Sequence, residues 1–407
     1  MSRVVLGVAG GIAAYKACEL LRRLRAADHD VTVVPTESAL EFVGASTWAA
    51  LSGHPVSTSV WDGVERVPHV QIGQHADLVL VAPATADLLS RAAAGRADDL
   101  LTNVLLTAHC PVVFAPAMHT EMWQHPATQH NVATLRQRGC VVVDPDSGRL
   151  TGADSGPGRL PEPAELFAVA GCVLSRPELS TRLAGRDLSG LRVAVSAGGT
   201  REHLDPVRFL GNSSSGLMGL ALARAAVLRG ADVRLVAANV TLAPPAGVRT
   251  EPVVSTADLE RVMTEAAREA DIVVMAAAVA DYTPAEASGT KLKKAGDRPL
   301  ELRLTQTADV LAGLVRARTD PAQVLVGFAA ETPTAEHSLL ELGRGKLARK
   351  GCDLLVLNAV GHGLVFGQAD NEITLLTAED AVGPLAGSKD TLAHDIWDAA
   401  LGLRSRR

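Results

Sequence analysis

Two stretches decide how this chain folds: RVVLGVAGGIAAYKACELLRRL at residues 3–24 and RVAVSAGGTREHLDPVRFLGNSSSGLMG at residues 192–219. Each opens as a short apolar run, passes through a glycine pair and continues into small residues. That order fits a strand whose C-terminal end turns beneath a ligand. Glycines let a phosphate approach backbone N–H groups, and a following helix offers its positive end. Two such openings in one chain predict two nucleotide-type sites, and so two linked chemical steps.

The alternation continues outward from both openings. In the first half, strands are expected at 3–9, 31–35, 77–82, 111–115 and 140–143, with helical patterns in most gaps, clearest at 12–27. In the second half, strands are expected at 192–197, 232–237, 271–277, 323–329 and 353–358, and helices at 216–229 and 256–269. Strands alternating with helices imply parallel sheets with right-handed crossovers. Periodicity fades after Pro161, and 173–189, with Pro177 and several polar residues, reads as a linker or a short helix. Domains are therefore expected at 1–175 and 188–407, joined by 176–187. The stretch 283–300 (TPAEASGTKLKKAGDRPL) lacks periodicity and reads as a mobile loop or hairpin, a place for a lid over a triphosphate.

Composition agrees with two α/β units. At 407 residues the chain is too long for one ordinary core. Apolar residues make up 47%, charged residues 21% and aromatic residues 3%, and the net charge of −6 argues against nucleic acid or an anionic membrane as partner. Cys18, Cys110, Cys140, Cys172 and Cys352 are scattered and form no CxxC pair, so neither a zinc site nor a disulfide framework is indicated. The sequence shows no cleavable leader and no apolar run as long as a membrane span, so a cytoplasmic location is expected.

Lysine usage is skewed. Of 39 basic residues only Lys16, Lys291, Lys293, Lys294, Lys346, Lys350 and Lys389 are lysines, and five of these fall between 291 and 350. Lysine is a compact point charge suited to phosphate, where arginine is an imperfect substitute. Chance clustering on a solvated face is the bland alternative, and function outweighs it.

A P-loop and a strict GxGxxG are both absent, so the glycine pairs alone are weak signals. Four pieces of the first half lie at expected strand ends: Gly10-Gly11-Ile12-Ala13, Thr36 with Ser38, Ala82-Pro83-Ala84-Thr85-Ala86, and Ala115-Pro116-Ala117-Met118. Any one alone is an ordinary turn, whereas four together suit a flat, phosphate-bearing cofactor. His69 follows Pro68, and a lone histidine is more often structural than catalytic. In the second half, Asn212-Ser213-Ser214-Ser215-Gly216 opens a helix and forms a good anion site, beyond what a plain cap needs. Asp281 ends the small-residue run MAAAVAD, where a carboxylate can hold Mg²⁺ or a ribose. Lys346 and Lys350, four apart, share one helix face, and like charges so placed make more sense facing phosphates.

Together these residues resemble the bacterial bifunctional phosphopantothenoylcysteine decarboxylase/phosphopantothenate–cysteine ligase family of coenzyme A biosynthesis. The family's SAGGTxExIDPVRxxxNxSSGxMG fits 196–219 with small changes, AAAVAD stands at 276–281, KxKK at 291–294 and GFAAET at 327–332. Lys346, Lys350 and Asp353 fit KxxxKxxD, and 366–371 fit FGxxxN. The resemblance implies two Rossmann-like α/β domains with mainly parallel sheets. The N-terminal one is of flavoprotein decarboxylase type, and the C-terminal one is of CTP-dependent ligase type.

In the implied ligase, CTP with Mg²⁺ activates the carboxylate of 4′-phosphopantothenate as an acyl-cytidylate, releasing pyrophosphate. The cysteine amine then forms the amide. Asn212 contacts the acyl-cytidylate and Lys291 serves the second half-reaction. Gly199, Thr200, Arg201, Ala276, Ala277, Ala278, Asp281, Ala308, Asp309, Val310, Leu311, Phe328, Lys346 and Lys350 hold the nucleotide, with Asp281 the candidate for the metal. Activation builds charge on the α-phosphate that cations must stabilise.

In the implied decarboxylase, the substrate thiol is oxidised at FMN to a thioaldehyde, the electron sink for loss of CO₂, and the electrons then return. His69 matches the base. Gly11, Ile12, Ala13, Thr36, Ser38, Ala84, Thr85, Ala86 and Met118 line FMN, and His119 and Met122 meet the substrate. Two departures stand out. His119 replaces the Asn of PxMNxxMW, and the flap, ACGDxGxGRM in the family, reads TGADSGPGRL at 151–160 without its cysteine. Cys140, the nearest in sequence, lies in an apolar run and is expected to be buried. The resemblance further implies trimeric decarboxylases and dimeric ligases, hence a dodecamer. Three other readings are a ligase with a weak decarboxylase half, a regulatory flavoprotein, and a nicotinamide oxidoreductase. The intact ligase motifs argue against the second, and the lack of an acidic ribose-binding residue after the second strand argues against the third.

Overall fold

Apolar runs buried on both faces are the mark of a parallel sheet, and both halves build one. The computed structural model describes residues 1–61, 67–150, 154–293, 300–333, 337–359 and 370–407. It divides into two units, Met1–Asp187 and Leu188–Arg407.

The first unit runs β1 (Arg3–Val8), α1 (Ala14–Ala26), β2 (Asp30–Pro35), α2 (Ala45–Ser52), α3 (Pro68–His75), β3 (Leu78–Ala84), α4 (Ala86–Ala94), α5 (Leu100–Thr107), β4 (Val112–Pro116), α6 (Thr120–Gln124), α7 (Pro126–Gln137), β5 (Val141–Val142), β6 (Asp146–Arg149), β7 (Ser155–Arg159), α8 (Pro163–Ser175) and α9 (Leu179–Gly185). Its main sheet has the order β2-β1-β3-β4-β5, all parallel. Val5 sits between Thr32 and Val79, which puts β2, β1 and β3 side by side. α1 buries Ala14, Ala17, Leu20, Leu21 and Leu24, an i, i+3, i+4 stripe that makes its period legible in the sequence.

The second unit runs β8 (Arg192–Gly198), β9 (Arg201–His203), β10 (Phe209–Gly211), α10 (Leu217–Leu228), β11 (Asp232–Ala238), β12 (Arg249–Val253), α11 (Thr256–Ala267), β13 (Ile272–Met275), β14 (Tyr282–Pro284), β15 (Leu304–Gln306), α12 (Val310–Ala317), β16 (Val324–Glu331), α13 (Leu339–Lys350), β17 (Leu354–Ala359), β18 (Asp370–Leu376), β19 (Ala381–Ser388) and α14 (Lys389–Arg404). The sheet order is β12-β11-β8-β13-β16-β17-β18-β19. The strands from β12 to β17 are parallel, and β18 and β19 extend the edge antiparallel. The long helix α14 is anchored on α10: Trp397, fully buried, donates its Nε1–H to Leu222 O at 2.9 Å. The buried Arg229 meets Asp398 at 2.8 Å. Removing a core tryptophan costs about 3–5 kcal/mol. This anchoring fixes the first residue of α14, Lys389, at the C-terminal edge of the parallel strands.

Four places bear on the sequence expectation. The stretch 176–187, read as a linker or a short helix, holds α9, whose Leu179, Leu183 and Ala184 are buried, and Arg186 pairs with Asp144 at 2.7 Å. A seven-residue helix is too short to display its period. α8 shows no clear period because apolar residues run almost throughout PAELFAVAGCVLS. The β6–β7 hairpin is silent in the sequence because DSGR and SGPGR carry no apolar alternation. The stretch 283–300, read as a loop or hairpin, is flanked by a small antiparallel pair, β14 with β15, while 294–299 lie outside the described residues.

Candidate active sites

In the first unit, backbone hydrogen bonds draw the expected strand-end pieces together. Thr36 N donates to Val8 O at 2.8 Å, Ala9 N to Pro83 O at 3.0 Å and Ala117 N to Ala84 O at 3.1 Å. Thr36 and Ser38 hydroxyls lie 3.2 Å apart. Gly10 is needed here because a Cβ would stand 2.3 Å from Ser38 Oγ. Gly11 has room, its nearest neighbour being Thr85 Cγ2 at 3.6 Å. Thr85 caps α4 through Leu88 N at 3.3 Å, and Ala86 begins that helix. Ile12 is 74% exposed, and Ala13 stands at the start of α1. A shallow, small-residue rim thus runs across β2, β1, β3 and β4.

The β6–β7 hairpin closes on this rim. Met118 N donates to Gly158 O at 2.9 Å, and a Cβ on Gly158 would lie 2.2 Å from Met118 O. Thr120 Oγ1 is buried beneath Gly156 without a partner. His119 and Met122 are exposed around the start of α6. The family's flap sequence is therefore a hairpin against the PxMNxxMW segment, a contact no local pattern reveals. Its residues Thr151, Gly152 and Ala153 lie outside the described residues. Lys16 is not at the rim's disposal: it reaches Glu162 Oε1 at 2.8 Å and Leu160 O at 3.1 Å.

His69 sits in the first turn of α3, where its carbonyl accepts from Thr107 Oγ1 at 2.9 Å. Its Nδ1 is buried and unpartnered. Among the described residues, no hydrogen bond ties its ring nitrogen Nδ1 to the strand-end pieces. Cys140 precedes β5 and, with Cys110, lines a separate cavity of about 530 Å³ at the N-terminal edge of the strands. Burial pushes both thiols up. That position is the opposite edge from the rim, so Cys140 does not stand in for the flap cysteine.

In the second unit, a cavity of about 1010 Å³ follows the C-terminal edge of the sheet. It gathers Asn212, Ser213, Ser214, Ser215 and Gly216, then Ala276, Ala277, Ala278 and Asp281, then Ala308, Asp309, Val310 and Leu311, then Phe328, Lys346 and Lys350. The serines do not cap α10, whose N-cap is Gly216 at φ +81° with no side-chain bond. Its first N–H groups therefore remain turned to the cavity, as an anion site requires. Asn212 is held by its Nδ2 donating to Val279 O at 2.9 Å.

The lysines face the cavity already paired. Lys346 meets Glu331 at 2.8 Å and Lys350 meets Asp309 at 2.6 Å. Burial pushes the Asp309 carboxyl up, but Lys350 and the Ala312 N–H outweigh it and hold the group below its usual range. Carboxylates thus keep the like-charged lysines in place. Asp281 is exposed beside this group, and its carbonyl accepts Thr307 N at 3.0 Å.

Gly199, Thr200 and Arg201 are not among the cavity-lining residues. Thr200 is fully buried, its Oγ1 accepting Ala280 N at 2.9 Å and meeting Thr256 Oγ1 at 3.2 Å. Arg201 stacks on Phe209, 4.5 Å from the ring centre. These residues lie next to the cavity lining, Gly199 beside Asn212 and Ser214. Lys291 is exposed, and its segment is pinned from below: Leu292 N donates to Asp205 Oδ2 at 3.0 Å and Arg208 Nη2 to Leu292 O at 2.6 Å. Arg208, opposed by burial and aided by backbone N–H groups, holds Asp205 far below the carboxylate range. The DPVR run is thus a clamp for the lysine segment. Lys294, Phe366 and Gly367 lie outside the described residues. Asn358 and Lys389 also line the cavity, and sequence reasoning gives them no role because their signal is spatial.

Two open α/β units, each with small residues and helix N-termini at the C-terminal edge of its strands, define a two-site protein of the nucleotide-binding α/β class. Residues 1–171 match the flavoprotein family model, and 188–403 match the DNA/pantothenate metabolism flavoprotein C-terminal domain. The coenzyme A biosynthesis bifunctional protein CoaBC of Mycolicibacterium smegmatis is 56% identical over 403 residues, 98% of this chain and 96% of that one. Its counterpart in Mycobacterium tuberculosis is 55% identical with the same coverage. A crystal structure of a CoaBC C-terminal domain aligns at 31% identity and TM-score 0.46, over 55% of this chain and 100% of that one. The chain belongs to the family of bifunctional coenzyme A biosynthesis proteins.

Proposed function

We propose that the second unit ligates cysteine to 4′-phosphopantothenate with CTP through an acyl-cytidylate, and that the first decarboxylates the product to 4′-phosphopantetheine with FMN. The observation that carries the reading is the single cavity where five separated motifs meet, in a chain of this family. Phe328, Leu311 and the small residues at Ala276, Ala277 and Ala278 offer an apolar seat for the base. Lys346, Lys350 and the open start of α10 receive phosphates, and Asn212 holds the acyl-cytidylate. Lys291, on its clamped segment, serves amide formation. A magnesium ion would be held as Mg²⁺ usually is, through a carboxylate such as Asp281, which lines the cavity, and the substrate's own phosphates.

What supports a flavin at the rim of the first unit is its run of small residues, with Gly10 packed closely on Ser38, and the buried His69 Nδ1 and Thr120 Oγ1, which have no partner among the described residues. Gly11, Ile12, Ala13, Thr36, Ser38, Ala84, Thr85, Ala86 and Met118 would hold it. When bound, FMN supplies the reversible two-electron chemistry at the substrate thiol. His69 takes the proton, while His119 and Met122 orient the substrate, with His119 donating to its carboxylate in place of an amide. The sequence has no cysteine in the flap, so either another group gives the last proton or release follows a variant route.

Homo-oligomeric assembly, up to a dodecamer, and a cytoplasmic location belong to the same reading. Exposed Ile12, Tyr15 and Met122 in one unit and Val207, Phe209 and Tyr282 in the other support assembly. No described helix is long and apolar enough to cross a membrane.

The test is mass analysis of products from the whole protein given 4′-phosphopantothenate, cysteine and either CTP or ATP. Phosphopantetheine with CTP is expected. Phosphopantothenoylcysteine alone leaves only the ligase, and turnover with ATP but not CTP overturns the nucleotide assignment.

A further inference from the structure

His69 is the proposed base, yet among the described residues no hydrogen bond holds its ring at Nδ1, which is buried without a partner. A working imidazole is ordinarily oriented by a bond to its other nitrogen. The turn that carries His69 also has little of its own to keep it in place. Its N-cap is Val67, which makes no side-chain cap and holds φ +46° and ψ 63°, a left-handed conformation that strains a β-branched residue. The helix it starts, α3, has eight residues, a length marginal in water by itself. The place of the imidazole therefore depends on what α3 leans against.

It leans on α5. Thr107 Oγ1 donates to His69 O at 2.9 Å, and Asn103 O and Val104 O stand 3.1 and 3.2 Å from the same hydroxyl. Three carbonyl oxygens thus converge on one atom. A hydroxyl meets them with its hydrogen, whereas a methyl carbon needs about 3.3–3.6 Å from a carbonyl oxygen. The approach also requires Gly73, where a Cβ would lie 2.2 Å from Thr107 Oγ1 and 3.0 Å from Val104 O. Of the two helices, α5 is the firm one. Asp99 caps it through Thr102 N at 2.8 Å, Arg91 meets Asp99 at 2.7 Å, and Leu100, Leu101 and Val104 are buried.

We propose that Thr107 is a positioning residue for His69. Its hydroxyl, admitted by Gly73, pins the first turn of α3 to α5 and so sets where the imidazole stands. This rests on the reading of His69 as the base of the first unit. A base displaced by about an ångström through a change remote from the chemistry loses up to about a hundredfold in rate.

The experiment compares Thr107→Val, Thr107→Ser and Gly73→Ala in the full chain. CO₂ release from 4′-phosphopantothenoylcysteine gives kcat and KM, and bound FMN is measured by its absorbance. A separate reading, made on FMN-free protein, is the rate at which diethyl pyrocarbonate modifies His69, followed by peptide mass against the exposed His130. Thr107→Val should lower kcat by about tenfold or more, with KM and FMN content within about twofold. His69 should then be modified about threefold faster or more, because its turn opens more often, with His130 unchanged. Gly73→Ala should repeat this pattern with the hydroxyl still present. Thr107→Ser, which keeps the hydroxyl, should stay within about threefold of the unaltered kcat. Thermal melting confirms that each variant folds, and Gly73→Ala decides if Thr107→Val does not. An unchanged kcat in Thr107→Val, a serine variant as slow as the valine one, or unchanged modification of His69 overturns the positioning role. Undiminished CO₂ release in His69→Asn overturns instead the reading of His69 as the base, and the role of Thr107 in catalysis with it.

Discussion

The two glycine openings, alike in sequence, do different structural jobs. After β1 the chain passes Gly10 and Gly11 and enters α1 at Ala14, so the glycine pair itself is the rim. After β8 it passes Gly198 and Gly199 but enters the β9–β10 hairpin, and α10 does not begin until Leu217. There the glycines stitch the sheet: Ala278 N donates to Gly198 O at 2.9 Å, and Gly199 N to Ala238 O at 2.9 Å. The cavity opens instead at the start of α10. Glycine pairs therefore mark a strand end, and the next element along the chain decides which residues line the cavity there.

The sharpest break between the halves is functional. His69→Asn should lower CO₂ release by about a hundred- to ten-thousandfold while leaving amide formation intact. Labelled CO₂ and pyrophosphate, measured in parallel, read the two steps. Loss of both would refute independent sites.

A structural break comes next. Gly198 has φ +88°, and a Cβ there would lie 2.0 Å from Ala238 O. Gly198→Ala should destabilise the second unit by about 3 kcal/mol or more. Gly11→Ala, with open space around it, should change stability by less than about 1 kcal/mol. Denaturant melts of both variants measure this, and equal costs would erase the distinction between a stitching and a rim glycine.

The smallest effects separate the lysines. Lys16→Met and Lys346→Met each remove a partly exposed ion pair and should cost less than about 1 kcal/mol. Only Lys346→Met should raise KM for CTP, because Lys346 lines the second unit's cavity and Lys16 does not. An equal KM from both variants would remove that lysine from the nucleotide site.

The sequence by itself determined the two-unit α/β plan, since parallel strands buried on both faces leave apolar runs that β1, β3, β8 and β13 display directly. It also marked the motifs that meet at each strand edge. It did not mark α8 or the β6–β7 hairpin and left α9 open between a linker and a short helix, because a helix apolar on most sides, a glycine-rich hairpin and a helix of seven residues carry no period. Only the tertiary structure decided which motif residues line the cavity. Thr200 and Asp205 turned inward to hold the floor and the lysine segment, whereas Asn358 and Lys389, silent in the sequence, came to the cavity. The reason is physical. Strand and helix periods are set by neighbours along the chain, but the edge of a sheet collects residues from strands far apart in sequence. Whether a polar group there bonds to protein or awaits a substrate depends on partners that only packing supplies.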